Sequence, residues 1–433
     1  MLTNTIHTEI GNLPIWTVIP FIGILLSIAI VPLINDKLWH HNFPKVSAFW
    51  GILGLSLLFW QAETPHLVTE IKHVGLEFFS FISLIGSLYV IALGIYIEGD
   101  LRAHPVVNAT IMLVGSVLAN LMATTGAAMI LIPFLVNTNI ERKNIKHTIM
   151  FFIFTVANTG GSLTPVGDPP LFLGFLKGVP FLWTLTLIPN WAFTVGAIIV
   201  VYLIVDTLMY NSEPKSAIIK DETQTAAIKI HGGANFFLVL AVIASVIFLH
   251  EGLRELVMIG SAIISLIITP IKGVEGRVNT RKKNEFTWFP VKEVAILFAG
   301  IFVTMIPALA ILKSSGASLG VDSPIKFFFA TGALSAFLDN APTYLVFLST
   351  GQGIPWPAGS ELIVDVPVKV LAGISTGAVF FGAMTYIGNA PNFMVKSYAE
   401  SRGIEMPSFF GYMLWSVPIL GIIYLAHSYI FLG

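Results

Sequence analysis

Eight stretches of this chain are apolar for long enough to cross a lipid bilayer, and this constrains the fold more than any other feature. They fall near 15–34, 46–60, 75–98, 182–206, 234–250, 255–270, 293–312 and 408–432, against the roughly 20 residues a membrane helix needs. Three further regions, 106–136, 148–177 and 325–350, are apolar but interrupted, and 367–397 is a counterpart of 148–177. Charged residues make up 11% of the chain, where a soluble domain carries about 25%. The pattern specifies an all-α integral membrane protein whose first partner is the lipid bilayer. Cysteine is absent, which removes disulfides and thiol chemistry. A formal net charge of −1 gives no reason to expect nucleic acid as a partner. The N-terminal residues lack the basic region of a cleaved leader, so the first apolar run is expected to remain as a span.

Lys and Arg in short loops set orientation. Arg142, Lys143 and Lys146 mark one loop as cytoplasmic, as do Lys272, Arg277, Arg281, Lys282, Lys283 and Lys292 in 271–292. The loop "GQGIPWPAGSELIVDVP" has no Lys or Arg and carries Glu361 and Asp365, so it reads as external. The chain threads through these assignments only if 106–136 and 325–350 each enter and leave on one side. The expectation is about ten transmembrane helices plus two re-entrant hairpins, with both termini outside. The charged segment 211–231 reads as a solvated cytoplasmic connection.

The sequence also repeats itself. "TVANTGGSLTPVGDPPLF" (155–172) lies on "TGAVFFGAMTYIGNAPNF" (376–393) without a gap at an offset of 376 − 155 = 221, and seven of 18 positions are identical. Among them are Thr164 with Thr385, Gly167 with Gly388 and Pro170 with Pro391, while Asp168 falls on Asn389. At an offset of 335 − 116 = 219, Ser116, Asn120 and Thr124 match Ser335, Asp339 and Thr343. Four-residue spacing places each trio on one helical face. The two copies have opposite predicted orientations, the signature of inverted-topology repeats with broken helices near the midplane of a secondary transporter. The division is a first half over 1–206, a linker over 207–233 and an inverted second half over 234–433.

Gly167 is placed to end one half-helix, Asp168 to cap the next and Pro169 to occupy its first turn, with Gly388, Asn389 and Pro391 repeating the arrangement. Asn389 indicates that a neutral cap suffices, and a carboxylate at the bilayer centre costs roughly 2.5–3.5 kcal/mol. Asp168 and Asp339 are therefore read as binding a cation or a proton. Together with Asn120 and Asn389 they give a centre of two carboxylates and two amides suited to sodium. Neither hairpin tip nor either broken-helix loop contains Lys or Arg. Lys177 and Lys396, near helix ends, read as snorkelling side chains.

At these residues the chain resembles the ion transporter superfamily, which includes NhaD-type sodium/proton antiporters, ArsB-type arsenite transporters, citrate transporters and divalent anion/sodium symporters. "SAFLDNAPTYL" (335–345) is similar to the second-hairpin signature of the antiporter and arsenite branches, and the resemblance covers most of the chain. It implies a dimerising scaffold, a transport domain that moves as an elevator, and sodium ligands by position. These would be Ser116, Asn120 and Thr124 with the Gly167–Asp168 loop, and Asp339, Asn340 and Thr343 with the Gly388–Asn389 loop. Ser335, Thr164 and Thr385 join them as candidate ion- or substrate-binding residues. The tips read "ANLMATTG" and "LDNAPTY" rather than the contiguous Ser-Asn-Thr of the dicarboxylate symporters.

No HExxH or Walker A motif appears, and the polar residues cluster at helix breaks, so an enzyme is not expected. No cofactor is expected beyond Na⁺ and H⁺ as transported or coupling ions. The leading expectation is a cation-coupled secondary transporter, a Na⁺/H⁺ antiporter of a bacterial inner membrane, homodimeric. The alternative is sodium- or proton-coupled uptake of an organic anion such as citrate.

Overall fold

The computed structural model describes residues 13–61 and 64–433, and it is almost wholly helical. Seven stretches among the described residues are long and apolar enough to cross a membrane: Ile15–Ile34, Lys37–Gln61, Leu67–Ala92, Pro105–Thr138, Phe181–Asn211, Phe289–Leu319 and Phe409–Phe431. Helices α1 (Ile19–Ile34), α2 (Asp36–Gln61) and α3 (Thr64–Ala92) are followed by a short strand β1 (Tyr96–Asp100). Next come α4 (Pro105–Met122), α5 (Thr124–Thr138), α6 (Lys146–Thr155), α7 (Pro169–Leu176) and α8 (Ile188–Asn211).

The 211–231 connection is not unstructured. It forms a helix α9 (Lys215–Thr223) and a strand β2 (Ala226–His231) that pairs antiparallel with β1. Beyond it lie α10 (Asn235–Phe248), α11 (Leu253–Ile268), α12 (Phe289–Ser315), α13 (Pro324–Ser335) and α14 (Asn340–Gln352). A two-stranded ribbon, β3 (Leu362–Ile363) and β4 (Val366–Pro367), precedes α15 (Val368–Phe380), α16 (Ala390–Ser401) and α17 (Phe409–Phe431).

The stretch Pro105–Thr138 is not one crossing. Ala123 sits at φ 62°, and there the chain reverses so that α5 runs back along α4. A Cβ on Gly115 would meet Leu131, and at the open end Asn108 and Asn139 exchange two side-chain hydrogen bonds of 2.8 Å. Helices α13 and α14 form a second hairpin, with Phe327 of one leg edge-on to Phe347 of the other. In both, the helix ends inside the trio that the sequence places on one face. Thr124 begins a new helix after Ala123, and Ser335 ends α13 while Asp339 caps α14. A tight reversal leaves no continuous face across it, and this corrects that reading.

The helices pack as two bundles. One contains α1–α3 and α10–α12, and the other α4–α8 and α13–α17; α12 against α14 and α3 against α5 and α7 join them. In the first bundle Ser47, Gly51 and Gly54 of α2 form a stripe of small residues against Gly300 and Thr304 of α12, which lets the backbones approach as membrane helices require. In the second, α17 turns Tyr412, Ser416, Tyr424 and His427 inward and Phe410, Leu414, Ile422 and Leu425 outward. Polar atoms inside and apolar ones outside is the distribution a lipid solvent selects.

Lys177 does not snorkel. Its Nζ lies 2.7 and 2.8 Å from the buried Glu77 carboxylate of α3, tying the end of α7 to the other bundle. Lys396 pairs with Glu400 and lies over the ring of Tyr386.

Where the second bundle meets the linker, charge is concentrated. The Arg142 guanidinium is buried against Asp206 at 2.6 and 3.1 Å, and Tyr202 and His147 complete the carboxylate's shell. Breaking such a buried pair from one side costs about 3–5 kcal/mol, so Asp206→Asn is expected to lower the melting temperature of the purified protein sharply. Nearby, desolvation and the neighbouring carboxylates Glu141 and Asp221 push the Asp100 carboxyl from 3.8 to about 6. Between those values the folded chain keeps a proton that the unfolded chain has released, so the contribution of Asp100 to stability falls as pH rises through that window. Melting curves from pH 4 to 7 are expected to show Asp100→Asn removing this part of the slope. An unchanged slope would assign it to other groups.

Candidate functional site

The broken helix α6–α7 is interrupted by 13 residues, 156–168, and α15–α16 by nine, 381–389; each interruption contains a short 3₁₀ turn, Thr159–Gly161 and Phe381–Met384. These loops are held by the hairpin tips. Thr124 N donates to Gly167 O at 2.9 Å and Leu163 N to Asn120 Oδ1 at 2.7 Å. Asn120 Nδ2 reaches Gly160 O at 2.6 Å and Ser116 O at 2.9 Å, and Thr164 Oγ1 donates to Asn120 O. Glycine is required at this clasp: a Cβ on Gly167 would stand 2.3 Å from Gly161 O, and one on Gly160 2.7 Å from Ser116 Cα. Ala123 at the tip holds a backbone conformation that costs a non-glycine residue of order 1–3 kcal/mol, over-determined by these bonds on either side.

The second loop reproduces two of these contacts. A Cβ on Gly388 would stand 2.7 Å from Gly382 O, and Thr385 Oγ1 donates to Ala336 O as Thr164 does to Asn120 O. This places Ala336, at an offset of 336 − 120 = 216, where Asn120 stands in the first copy; Asp339 is not its positional counterpart. Gly167 does not end a half-helix, because α6 has already stopped at Thr155. It serves the close approach instead.

Asp168 begins α7, yet its side chain makes no cap bond. The carboxylate is buried and accepts from Thr124 Oγ1 at 2.8 Å, Asn340 Nδ2 at 3.1 Å and Asn389 Nδ2 at 3.3 Å. One donor comes from each hairpin and one from the other broken helix. Asn389 likewise caps nothing and also donates to Ala157 O at 3.1 Å. Asp339 differs: it is half-buried, accepts from Ala341 N at 3.0 Å as the cap of α14, and makes no hydrogen bond to Asp168. Thr343 Oγ1 donates to Asp339 O, within the same turn. Ser335 Oγ lies 2.6 Å from Ala378 O and 2.8 Å from Asn340 Oδ1, and Ser116 Oγ bonds back to Met112 O.

A small cavity of about 50 Å³ reaches Asp168 between the bundles, lined by Leu84 and Leu88 of α3, Val291 of α12 and Met394 of α16. It is large enough for water or a small ion and too small for an organic acid.

Two residues escape the sequence comparison. Asn158 Nδ2 donates to Asn392 Oδ1 at 2.6 Å and Ile153 O at 2.8 Å, and Asn392 Nδ2 to Gly382 O and Thr385 O at 2.7 and 2.9 Å. Both are fully buried, and Asn158 Oδ1 has no hydrogen-bond partner among the described residues. At the 221 offset they fall on Val379 and Leu171, so a search for matched polar residues passes over them.

Paired hairpins clasping paired helix breaks around a buried carboxylate, in a chain of many apolar helices, define a multi-pass membrane transporter. A family model described as "Putative citrate transport" matches residues 10–432, and the chain belongs to that family. No curated protein sequence matches it.

The geometry separates the two carboxylates. Asp168→Asn turns one acceptor into a donor facing the amide of Asn340 or Asn389, a buried mismatch costing about 1–3 kcal/mol. Asp339→Asn keeps an oxygen for Ala341 N, and Asn caps as well as Asp. Thermal melts are expected to drop for the first variant and stay close to the parent for the second; equal drops would mean that Asp339 has a role beyond its cap.

Proposed function

We propose that the protein is a cation-coupled secondary transporter of a carboxylate anion such as citrate, in a bacterial inner membrane. The observation that carries this reading is Asp168: a buried carboxylate held by both hairpins and the opposite broken helix, in a chain of the citrate transport family. Among the described residues no Lys or Arg hydrogen-bonds or ion-pairs with Asp168, Asp339 or Asn389. An anionic substrate brought here gains attraction only if bound cations arrive with it. The donors are the oxygens a hard cation prefers: Asp168, Thr124 Oγ1, the unpartnered Asn158 Oδ1, and the carbonyls of the interrupted helices.

The architecture supports an elevator in this reading. The first bundle would be the scaffold and the dimer contact, and the second the moving body, with α4–α5 and α13–α14 as re-entrant hairpins. The ten crossings would be α1, α2, α3, α6–α7 and α8, then α10, α11, α12, α15–α16 and α17 in inverted order. The Lys177–Glu77 pair would hold the bundles in the register seen here. Na⁺/H⁺ antiport is the second reading; it is favoured by the same absence of fixed cations, since sodium and protons could then compete for Asp168.

Proteoliposomes separate the two. Citrate uptake is expected to require an inward sodium or proton gradient. Sodium-driven proton movement that is indifferent to citrate would overturn this in favour of antiport. Because the chain lacks cysteine, single cysteines at exposed Lys143 and Glu361 are expected to label from opposite faces of the membrane. Labelling of both from one face would refute the inverted arrangement.

A further inference from the structure

The chain passes between the two bundles three times, at 93–104 from α3 to α4, at 212–234 from α8 to α10 and at 316–323 from α12 to α13. The first two connections pair with each other. One carries β1 and the other β2, in register from Tyr96 opposite His231 to Glu98 opposite Lys229, with a bulge before Asp100 opposite Ala226. The ribbon is therefore a strap attached to both bundles. Amides and a guanidinium fasten its end at the first bundle: Asn235 Nδ2 donates to Gly94 O at 3.1 Å, Asn284 Nδ2 to Leu93 O at 3.1 Å and Arg281 Nη1 to Val90 O at 2.6 Å. At the second bundle both oxygens of the buried Asp221 carboxylate accept from Ala103 N at 3.0 Å, and Asn137 Nδ2 donates to Gly99 O at 2.9 Å.

This second end has a surplus of carboxylates. Asp100 of β1, Asp221 of α9 and Glu141 of the α5–α6 loop act on one another: Glu141 and Asp221 join burial in pushing the Asp100 carboxyl up to about 6, and Glu141 adds to the burial that raises Asp221. The Glu141 side chain is only 5% exposed, and its Oε2 has no hydrogen-bond partner among the described residues. The cations beside the group are engaged elsewhere or stand off. Arg142 is held by Asp206 and Glu213 of the α8 end, and Lys220 lies 3.7 Å from the other oxygen of Glu141. Glu222 and Tyr210 face Asp221, and Glu98, Lys143, Lys146, Lys283, Arg402 and Glu405 line a cavity of about 810 Å³ that also reaches Asp100. Among the described residues no cluster of His, Asp or Glu is placed to hold a metal ion, which leaves the proton to relieve the repulsion.

We propose that Asp100, Glu141 and Asp221 form a pH-sensitive latch on the strap: with a proton among them the ribbon is fastened to the second bundle, and without it their repulsion frees the ribbon to flex at its bulge. The inference rests on the reading of the two bundles as bodies that move against each other, and the proposed orientation makes the latch a sensor of cytoplasmic pH. Like charges disfavour one another's ionised form, so acid fastens the strap and neutral pH loosens it. The proton and the fastened state favour each other by the same coupling.

The test is hydrogen exchange of the purified full chain, followed by mass spectrometry on peptides covering 96–100 and 226–231 between pH 5 and 8 and corrected for the intrinsic pH dependence of exchange. Protection of the wild-type ribbon is expected to fall about tenfold or more over this range, the factor that one pKa unit of coupling supplies, while peptides of α17 keep theirs. Asp100→Asn, neutral like the protonated acid, is expected to hold the protected state at every pH. Glu141→Gln removes one charge and is expected to retain protection to higher pH; it decides if Asp100→Asn does not fold. A wild-type ribbon without pH dependence, or one whose pH dependence persists in the variants, overturns the latch. Citrate counterflow in proteoliposomes at pH 7.5 on both sides reads the consequence: Asp100→Asn is expected to be slower than the wild type, and the parent rate overturns a latch on movement. No counterflow in the wild type overturns the proposed citrate transport instead, and the exchange profile then decides the latch by itself.

Discussion

Backbone amides and carbonyls freed where a helix breaks inside hydrocarbon have no water to turn to, and each unsatisfied group costs several kcal/mol. The second bundle is organised around meeting that demand. Each interrupted helix lends its loose carbonyls and amides to the tip of a neighbouring hairpin: Asn120 bridges Gly160 O and Leu163 N, Thr164 and Thr385 reach Asn120 O and Ala336 O, and Thr124 N takes Gly167 O. The hairpin tip has the same deficit, so each part satisfies the other. The glycines follow from this closeness, since Gly161 with Gly167 and Gly382 with Gly388 approach to distances that exclude a methyl group.

This mutual satisfaction explains which parts of the architecture are legible in the sequence. The apolar windows, the two interrupted helices and the position of Asp168 in a break can all be read from hydropathy and from the repeat. The matched Thr164 and Thr385, Gly167 and Gly388 make equivalent contacts. The hairpin over 106–136 and its tip are legible too, but not that Ala123 is the residue that turns, because alanine carries no turn signal; its positive φ is imposed by bonds to a loop some 40 residues away. Asn158 and Asn392 are hidden for a related reason. A repeat comparison aligns like with like, whereas these two pair across the copies and align with valine and leucine.

Charges outside the junction show the same limit. Snorkelling is a sound default for a lysine near a helix end, yet Lys177 is claimed by Glu77, 100 positions earlier and on the other bundle. Nothing local to either residue announces the partner. The linker is similar: "AAIKIH" alternates as a strand does, but it becomes one only because β1 offers an edge to pair with.

The two aspartates show how position decides whether a charge is needed. A helix cap asks for an oxygen lone pair and no more, and Asp339 receives one backbone hydrogen bond at a half-buried site. Asp168 stands at the start of a helix that it does not cap, with all three of its donors supplied by neutral side chains from elsewhere. Three neutral hydrogen bonds orient a buried carboxylate, but they do not cancel its charge. In the proposed reading the missing counter-charge is the cargo cation. A cation that must be present for the junction to be electrically satisfied is also one whose loss would favour a change of state, and that differential is what couples an ion gradient to a conformational step.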